Sequence, residues 1–284
     1  MIVVTGATGQ LGRLVVQDLL TRVPADQVVA AVRSPEKATD LAERGVHVRE
    51  ADYDRPDTLK AAFKGADKVL LISGSDVGRR VPQHQAVIDA AKEAGVSLLA
   101  YTSVLHADTS TVAVAPEHKA TEEAIKAGGL TYSLLRNGWY NENYVPTARQ
   151  GAATGTVIGS ARDGRVAAAS RADYAAAAAV VLTEDGHADT VYELSGDTAW
   201  TMDDLAADIS AVAGTPVVYQ DLPAEAHAKA LTEAGLPEPV VGMLVSIDAS
   251  IAAGWLADTT GDLSRLIGRP TTPLRTTLAA ALVN

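Results

Sequence analysis

Residues 4–12 read VTGATGQLG, and this stretch places glycines at positions 6, 9 and 12 between an apolar run and a helical pattern. A tight strand-to-helix turn needs a residue that tolerates a positive φ, as glycine does. The close approach of a pyrophosphate to the backbone excludes a Cβ, and the third glycine lets the helix pack closely on the strand. Free N–H groups at the positive end of the helix then bind phosphate. The stretch therefore predicts the phosphate-binding turn of a dinucleotide-binding βαβ unit, with a purely structural turn as the alternative.

The chain that follows this turn alternates between short β-branched runs and longer helical patterns, which is typical of βαβ units around a parallel sheet. The first helix is predicted at 10–22, and Pro24 blocks its continuation. Another, at 82–94, has Pro at its start and Gly95 after its end. Six strands with apolar composition suited to burial on both faces are predicted at 2–5, 28–32, 46–50, 68–72, 97–102 and 131–135.

The second half of the chain is less regular, with helical patterns near 171–183, 201–213 and 259–267 and a break between two helical segments at 235–239. These patterns predict an α/β fold: a Rossmann-type doubly wound parallel sheet with a smaller C-terminal α/β lobe. The expected division is a nucleotide-binding Rossmann domain at 1–150, segments near 151–189 that return to it, and a smaller substrate-binding lobe made of most of 190–284.

Composition excludes several classes of protein. The 284 residues carry a formal net charge of −11, which argues against a general affinity for nucleic acid. Cysteine is absent, so disulfides and thiolate nucleophiles are excluded. The six histidines form no recognisable metal-binding pattern, and we expect no metal site. No apolar run approaches the roughly 20 residues of a membrane span, and no signal peptide is visible, so we expect a cytoplasmic protein without a membrane partner.

The residue after the second strand indicates which dinucleotide is bound. A protein that binds NAD places Asp or Glu about 20 residues beyond the glycines, where it bonds the ribose hydroxyls. This chain has Arg33 there instead, followed by Ser34 and, nearby, Lys37. A guanidinium pairs with the 2′-phosphate of NADP(H), which a carboxylate would repel. The sequence therefore predicts NADP(H), with a solvated surface arginine as the alternative.

Further candidates follow the third, fourth and sixth strands. Asp52 and Tyr53 are placed to border the adenine, with an exposed loop as the alternative. The small residues of 73–75 permit close approach of the ribose and nicotinamide, with a plain turn as the alternative. In 136–143, Trp139 and Tyr140 offer flat faces for stacking, and the neighbouring asparagines can bond amide edges. A packed interdomain loop is the alternative for that segment.

The acid–base inventory does not identify a proton donor. Carbonyl reduction on this fold commonly uses Tyr with Lys four residues later, and none of the eight tyrosines has Lys at that offset. His106 and His118 lie near the carboxyl ends of strands, where ligands bind in such sheets, but a surface or helix-cap role is favoured for each. The catalytic acid or base, if the chain has one, stays unknown at this level.

The chain resembles the NmrA-like branch of the atypical short-chain dehydrogenases, and within it a group of bacterial NADPH-dependent quinone reductases. The likeness runs through nearly the whole chain and is most specific in the segment LLRNGWY at 134–140. Other stretches that carry it are 2–12, 51–53, 70–73, 77–78, 82–84, 100–103, 105–110 and 171–174. Gly74 and Asn141 depart from the family member compared, which has Ser at both positions.

The resemblance implies hydride transfer from NADPH to quinones, a two-electron reduction to the hydroquinone that depends on positioning rather than on a Tyr/Lys pair. A quinone is then the small-molecule partner, and a homodimer is left open. The alternatives are an NADP(H)-binding redox sensor that contacts a protein partner without turnover, and an enzyme for another conjugated molecule. The residues that the resemblance assigns to NADP(H) are Gly6, Ala7, Thr8, Gly9, Gln10, Leu11, Arg33, Ser73, Gly74, Ser75, Asn137, Gly138, Trp139, Tyr140, Asn141, Glu142 and Arg171.

Overall fold

The computed structural model describes residues 1–282. Its strands are β1 (Ile2–Thr5), β2 (Val28–Val32), β3 (His47–Glu50), β4 (Lys68–Leu71), β5 (Leu98–Val104), β6 (Tyr132–Asn137), β7 (Thr156–Gly159), β8 (Arg165–Val166), β9 (Thr190–Leu194), β10 (Trp200–Thr201) and β11 (Val218–Asp221). Its helices are α1 (Gln10–Arg22), α2 (Thr39–Glu43), α3 (Pro56–Ala62), α4 (Arg80–Glu93), α5 (Ala115–Ala127), α6 (Val145–Thr154), α7 (Arg171–Thr183), α8 (Met202–Ala213), α9 (Ala224–Glu233), α10 (Glu238–Ala252), α11 (Asp262–Ile267) and α12 (Leu274–Leu282).

Seven strands form one parallel sheet in the order β3-β2-β1-β4-β5-β6-β9. The chain runs outward from β1 to β3 on one side and from β4 to β9 on the other, so the connections diverge between β1 and β4. Such a point opens a crevice at the carboxyl ends of the strands, where doubly wound sheets bind their ligands. The predicted fold class is therefore confirmed, and its topology fixes where a ligand would lie.

The sheet is covered on both faces because its central strands are apolar throughout. One face packs against α1 and α7, and the other against α3, α4 and α5. The alanine-rich middle of α7 is buried between α1 and the sheet, where the short side chains allow close packing. The contact between α1 and β1 is close as well, since a Cβ on Gly12 would lie 2.3 Å from the carbonyl oxygen of Gly6.

The six predicted strands are present within two residues of their expected ends, and α1 and α7 have the predicted bounds. The seventh strand, β9, was not predicted as part of the sheet and lies in the segment expected to belong to the smaller lobe. It pairs with β6 at the edge of the sheet, so its residues alternate between buried and partly exposed. The short helix α11 also packs on this part, against α7 and β9.

The remaining C-terminal elements build a third apolar core. There β7 pairs in parallel with β11, β8 pairs in antiparallel with β10, and the helices α6, α8 and α12 pack around them. The break at 235–239 separates α9 from α10, as expected from its Pro and Gly content. Over residues 1–282, no helix is both long enough and apolar enough to span a membrane.

Candidate active site

A cleft of about 760 Å³ lies across the carboxyl ends of the strands on both sides of the β1–β4 divergence. At one end are the glycine-rich turn after β1 and the residues after β2. At the other are the segments that follow β4, β5 and β6. Because a dinucleotide in a doubly wound fold spans the divergence point, the first end suits the adenosine half and the second suits the nicotinamide half.

The glycine-rich turn presents backbone donors to the cleft. Gly6 has a φ of +59°, and its carbonyl oxygen accepts a hydrogen bond from the N–H of Gly9 at 2.9 Å. The first hydrogen bond of α1 runs from Arg13 N–H to the carbonyl oxygen of Gly9, and Gly9 caps the helix without a side-chain bond. The N–H groups at the start of α1 are therefore the unsatisfied donors that a helix N-terminus offers to an anion.

Arg33 and Lys37 provide positive charge at this end of the cleft. Both line it, and within the described chain neither guanidinium nor ammonium forms an ion pair. Arg13 has a different role, because it is bonded to Asp40 and to the carbonyl oxygen of Lys37 and so fixes the loop after β2. Two uncompensated cations beside a nucleotide cleft suit a phosphate monoester, such as the 2′-phosphate of NADP(H).

At the other end, the loop after β4 is held by side chains from three elements. The N–H of Ser73 donates to Thr102 Oγ1 at 2.9 Å, and that of Gly74 donates to His84 Nε2 at 3.0 Å. Arg80 Nε donates to the carbonyl oxygen of Gly74 at 2.6 Å. Burial, and secondly the charge of Arg80, lower the pKa of His84 to about 4, so the imidazole is neutral at pH 7. The small residues predicted to face the ribose and nicotinamide are thus fixed in position.

A second histidine lies beside this loop. His118 on α5 is more than nine-tenths buried, and its Nδ1 lies 2.7 Å from Tyr101 Oη on β5. Burial, and then the charge of Arg80, lower the pKa of His118 to about 3. The helix-cap or surface role considered for His118 is therefore wrong, because its ring lies inside the fold and lines the cleft. His106 lies outside the lining, where its Nε2 is 3.0 Å from Asp258 Oδ2.

Below the cleft, Arg136 ties β6 to its neighbours. Its guanidinium makes two hydrogen bonds to the buried Glu122, of 2.9 and 2.7 Å, and one to Glu193 at 2.7 Å. Glu122 also accepts a 2.6 Å hydrogen bond from Ser103 Oγ. A buried arginine bonded in this way holds the ends of β5 and β6, α5 and β9 in fixed relation. The loop that begins at Asn137 therefore starts from a rigid base.

That loop carries aromatic and amide groups into the cleft. Asn137 is buried beside the cleft, and its Oδ1 is an enclosed acceptor with no hydrogen-bond partner in the described structure. The guanidinium carbon of Arg171 lies 4.7 Å from the centroid of the Tyr140 ring. Arg171 also donates to Asn143 Oδ1 at 3.0 Å. The side chains around this part of the cleft are consequently ordered by one another.

Three comparisons with known proteins agree with this geometry. The sequence model of the NmrA-like family matches residues 1–253. The chain belongs to the NmrA-like family. The chain is 52% identical over 274 residues to Quinone oxidoreductase 2 of Escherichia coli, covering 96% of each protein.

Two solved structures of relatives are also similar to this NmrA-like chain. The NADPH complex of an NADPH-dependent quinone oxidoreductase from Escherichia coli has a TM-score of 0.96 and 50% identity, with full coverage of both chains. The NADP(H) complex of a Citrobacter sp. triphenylmethane reductase has a TM-score of 0.95 and 42% identity, covering 99% of this chain and 100% of the other. Both share the fold over its whole length, including the smaller lobe.

Most of the predicted cofactor residues of this NmrA-like protein are brought together, since fourteen of them line the cleft: Gly6, Thr8, Gly9, Gln10, Leu11, Arg33, Ser73, Gly74, Ser75, Asn137, Gly138, Trp139, Tyr140 and Arg171. Ala7, Asn141 and Glu142 lie outside the lining. Ala7 is fully buried, Asn141 donates to the carbonyl oxygen of Thr272, and Glu142 accepts the N–H of Arg171 at the start of α7. Their positions indicate packing and helix capping.

The lining residues that were not predicted to bind the cofactor include Arg80, Gln83, His118 and Asn143. Arg80 and Gln83 lie on the first turns of α4, and no local pattern distinguishes them from surface residues of that helix. His118 could have been identified from the sequence, since it lies in the first turn of the helix that follows a central strand. Asp52 and Tyr53, which were expected beside the adenine, both line the cleft. Tyr53 is also structural, because its Oη donates to the carbonyl oxygen of Ile72 at 2.8 Å.

Proposed function

We propose that this chain is an NADPH-dependent oxidoreductase that transfers hydride to quinones, reducing them by two electrons to hydroquinones. The observation that carries the proposal is a single cleft with two unpaired cations, Arg33 and Lys37, at one end and an ordered, largely buried set of groups at the other. The relative of 52% identity named Quinone oxidoreductase 2 supports the choice of acceptor. The solved relatives in complex with NADPH or NADP(H) support the choice of cofactor.

The residues that line the cleft fit the cofactor. NADPH, when bound, supplies the hydride. The N–H groups at the start of α1 would hold its pyrophosphate, and Arg33 with Lys37 would hold its 2′-phosphate. At the far end, Asn137 would lie beside the carboxamide, and the ring of Tyr140, fixed by Arg171, offers a flat wall. These groups orient and bind rather than exchange protons.

The absence of a Tyr/Lys pair suits this reaction. A quinone that accepts hydride becomes a delocalised hydroquinone anion, which water can protonate after the transfer. Catalysis then depends mainly on how the cleft orients the two reactants. His84, held neutral by burial and by Arg80, keeps the loop at Gly74 in place without serving as an acid at pH 7.

We propose that the smaller lobe selects the acceptor. Trp139 lines the cleft and packs against the core of that lobe, so a substrate lying against its ring would be bordered by both parts of the chain. In this proposal 1–150 with the segments near 151–189 bind the nucleotide, and most of 190–284 surrounds the acceptor. The edge strand β9 and helix α11 are the exceptions, because they pack on the large sheet.

The proposal also places the enzyme in the cytoplasm, with a small-molecule acceptor and no nucleic-acid partner, in keeping with the lack of cysteine and the net charge of −11. A homodimer remains open, and light scattering of the purified chain measures it. The location, the partners and the oligomeric state of the enzyme do not alter the chemistry of the cleft.

The test follows NADPH absorbance with and without 1,4-benzoquinone or a naphthoquinone, repeated with NADH. Quinone-dependent oxidation that prefers NADPH is the expected result. Tight NADPH binding without turnover across a quinone panel would contradict the proposal and favour the redox-sensor alternative. Equal rates with NADPH and NADH would still support a quinone reductase. They would contradict the proposal that Arg33 and Lys37 at the adenosine end select NADPH.

A further inference from the structure

His118 offers a hydrogen-bond donor that the fold itself does not use. Tyr101 is fully buried on β5, and its hydroxyl lies 2.7 Å from His118 Nδ1, with the side chains of Thr121 and Ser73 as its other hydrogen-bond partners. Burial raises the pKa of Tyr101, so the hydroxyl keeps its proton and can donate it to Nδ1. An Nδ1 that accepts leaves the proton of the neutral imidazole on Nε2. We infer this Nε2–H tautomer for His118.

The Nε2–H group of His118 faces the cleft. No hydrogen bond or ion pair is made by this atom within residues 1–282, and it is not among the enclosed polar atoms that lack a partner. The space to which it opens is the cleft that His118 lines. A ring that is more than nine-tenths buried, fixed on one side and free on the other, is preorganised to donate to a ligand.

The position along the cleft decides which part of a ligand would receive this donor. His118 lies on the helix that follows β5, next to the loop of Ser73 and Gly74, whereas the glycine-rich turn and Arg33 lie across the β1–β4 divergence. The adenosine half and the phosphates therefore occupy the other side. Arg80, which also lines the cleft and is paired with Glu117, lies close enough to the His118 ring for its charge to lower the pKa of that ring. An Nε2–H donor at this place suits an oxygen that becomes negatively charged.

We propose that His118 Nε2–H donates a hydrogen bond to the quinone oxygen that becomes anionic during reduction, and that Tyr101 positions the ring for this task. The inference rests on the proposed function. Quinone reduction moves one hydride, with its electron pair, from NADPH to the quinone, giving NADP⁺ and the hydroquinone monoanion. Water then supplies one proton to complete the hydroquinone. His118 keeps its own proton throughout and lowers the energy of the charge that develops on the oxygen.

Two variants of His118 and one matched control test the proposal by single-turnover hydride transfer at saturating NADPH. His118→Leu removes the donor and is expected to slow transfer to 1,4-benzoquinone by about ten- to a hundredfold, the range for a hydrogen bond to a charged group. His118→Gln keeps an N–H near the same place and should recover a large part of the rate. His187→Leu is the control, because His187 Nδ1 bonds Tyr192 Oη at the same 2.7 Å but lies outside the cleft. Its rate should stay within about twofold of the wild type.

The NADPH dissociation constant, measured by fluorescence in the same variants, separates the quinone from the nicotinamide as recipient. It should be unchanged in His118→Leu. If the NADPH dissociation constant rose by the same factor as the hydride-transfer rate fell, the hydrogen bond from His118 would go to the cofactor, and the proposal would be overturned. Tyr101→Phe should slow transfer less than His118→Leu, since it frees the tautomer without removing the ring.

Equilibrium binding of a phenolate tests the role of His118 without requiring turnover. Ionised 4-nitrophenolate has a phenolic oxyanion like that of the product, and its absorbance reports binding to the protein saturated with NADP⁺. Binding should weaken by about tenfold in His118→Leu and recover in His118→Gln. A wild-type protein that binds the phenolate through His118 but never reduces a quinone would refute the proposed function alone. Unchanged phenolate affinity and unchanged hydride transfer in His118→Leu would refute the role of His118 alone.

Discussion

The two ends of the cleft are built by opposite means. At the adenosine end, backbone N–H groups and two unpaired cations are exposed to the ligand, and few side chains restrain them. At the nicotinamide end, buried side chains hold the backbone and one another: His84 Nε2 accepts the N–H of Gly74, and Tyr101 is hydrogen-bonded to His118. The first end recognises charge, for which open donors suffice, whereas the second must hold groups at fixed positions. Affinity and cofactor choice should therefore depend on the first end, and the rate of reduction on the second.

Of the substitutions that test this contrast, Gly9→Val should have the largest effect, a loss of NADPH affinity. A Cβ at Gly9 would lie 3.1 Å from the carbonyl oxygen of Gly6 and meet no other atom within 4 Å, so the added side chain would project into the cleft where the N–H groups face the phosphates. NADPH affinity should fall by at least about a hundredfold, the loss of more than one charge-assisted hydrogen bond. Fluorescence titration measures it, and circular dichroism should report an unchanged fold.

Gly242→Val is the matched control for that change. A Cβ at Gly242, on α10, would meet nothing within 4 Å, so NADPH affinity should be that of the wild type. If Gly9→Val bound NADPH normally, the phosphate-binding turn would lose its support.

Arg33→Asp should have the next largest effect. The substitution replaces a free guanidinium by a carboxylate beside the 2′-phosphate, and the dissociation constant for NADPH should rise at least about tenfold. NADH, which lacks that phosphate, should be affected little. Arg44→Asp makes the same charge change at an exposed site outside the cleft and serves as the control. Equal losses for both dinucleotides would contradict the assignment of Arg33.

The smallest expected effect concerns pH and the buried end. The pKa of His84 lies near 4 in the folded protein, against an ordinary value of 6.5, so the unfolded chain binds a proton first as the pH falls. The stability that depends on neutral His84 is fully present above pH 6.5 and is lost as the pH falls from 6.5 toward 4. Between pH 7 and 6 the free energy of unfolding should fall by about 0.7 kcal/mol from this group.

Urea unfolding of the wild type and His84→Gln at both pH values isolates that contribution, because the other histidines are common to the two proteins. The variant should show the smaller loss between pH 7 and 6. Identical pH dependence would mean that the imidazole at Gly74 titrates in the folded protein as it does in the unfolded one.

Regular local patterns explain what could be predicted. The glycine spacing at residues 4–12, the apolar runs and the Pro and Gly residues at helix ends gave the first six strands, α1 and α7 nearly to the residue. Arg33 was found because its distance from the glycines is set by one βαβ unit. The edge strand β9 was missed, because an edge strand is only partly buried and its pattern TVYEL differs little from that of a strand in a separate lobe.

Site residues that depend on contacts between distant segments were not found in this way. Arg80 faces Gly74 and Glu117, and His118 faces Tyr101, through pairings that helix packing on the sheet creates. The family resemblance assigned Asn141 and Glu142 to the cofactor, and that assignment stays a prediction. In the structure Asn141 donates to the carbonyl oxygen of Thr272, and Glu142 accepts the N–H of Arg171 at the start of α7.

The sequence by itself determined the doubly wound fold, and it predicted a phosphate-binding role for the glycine-rich turn and a 2′-phosphate contact for Arg33, because each depends on residues within one βαβ unit. The tertiary structure decided which groups are neutral and which donors remain free. Burial and the nearby charge of Arg80 lower the pKa of His84 and of His118, and the tertiary fold brings Tyr101 Oη within 2.7 Å of His118 Nδ1. Protonation and hydrogen-bond direction depend on surroundings assembled from β4, β5, α4 and α5, which no single stretch of sequence contains.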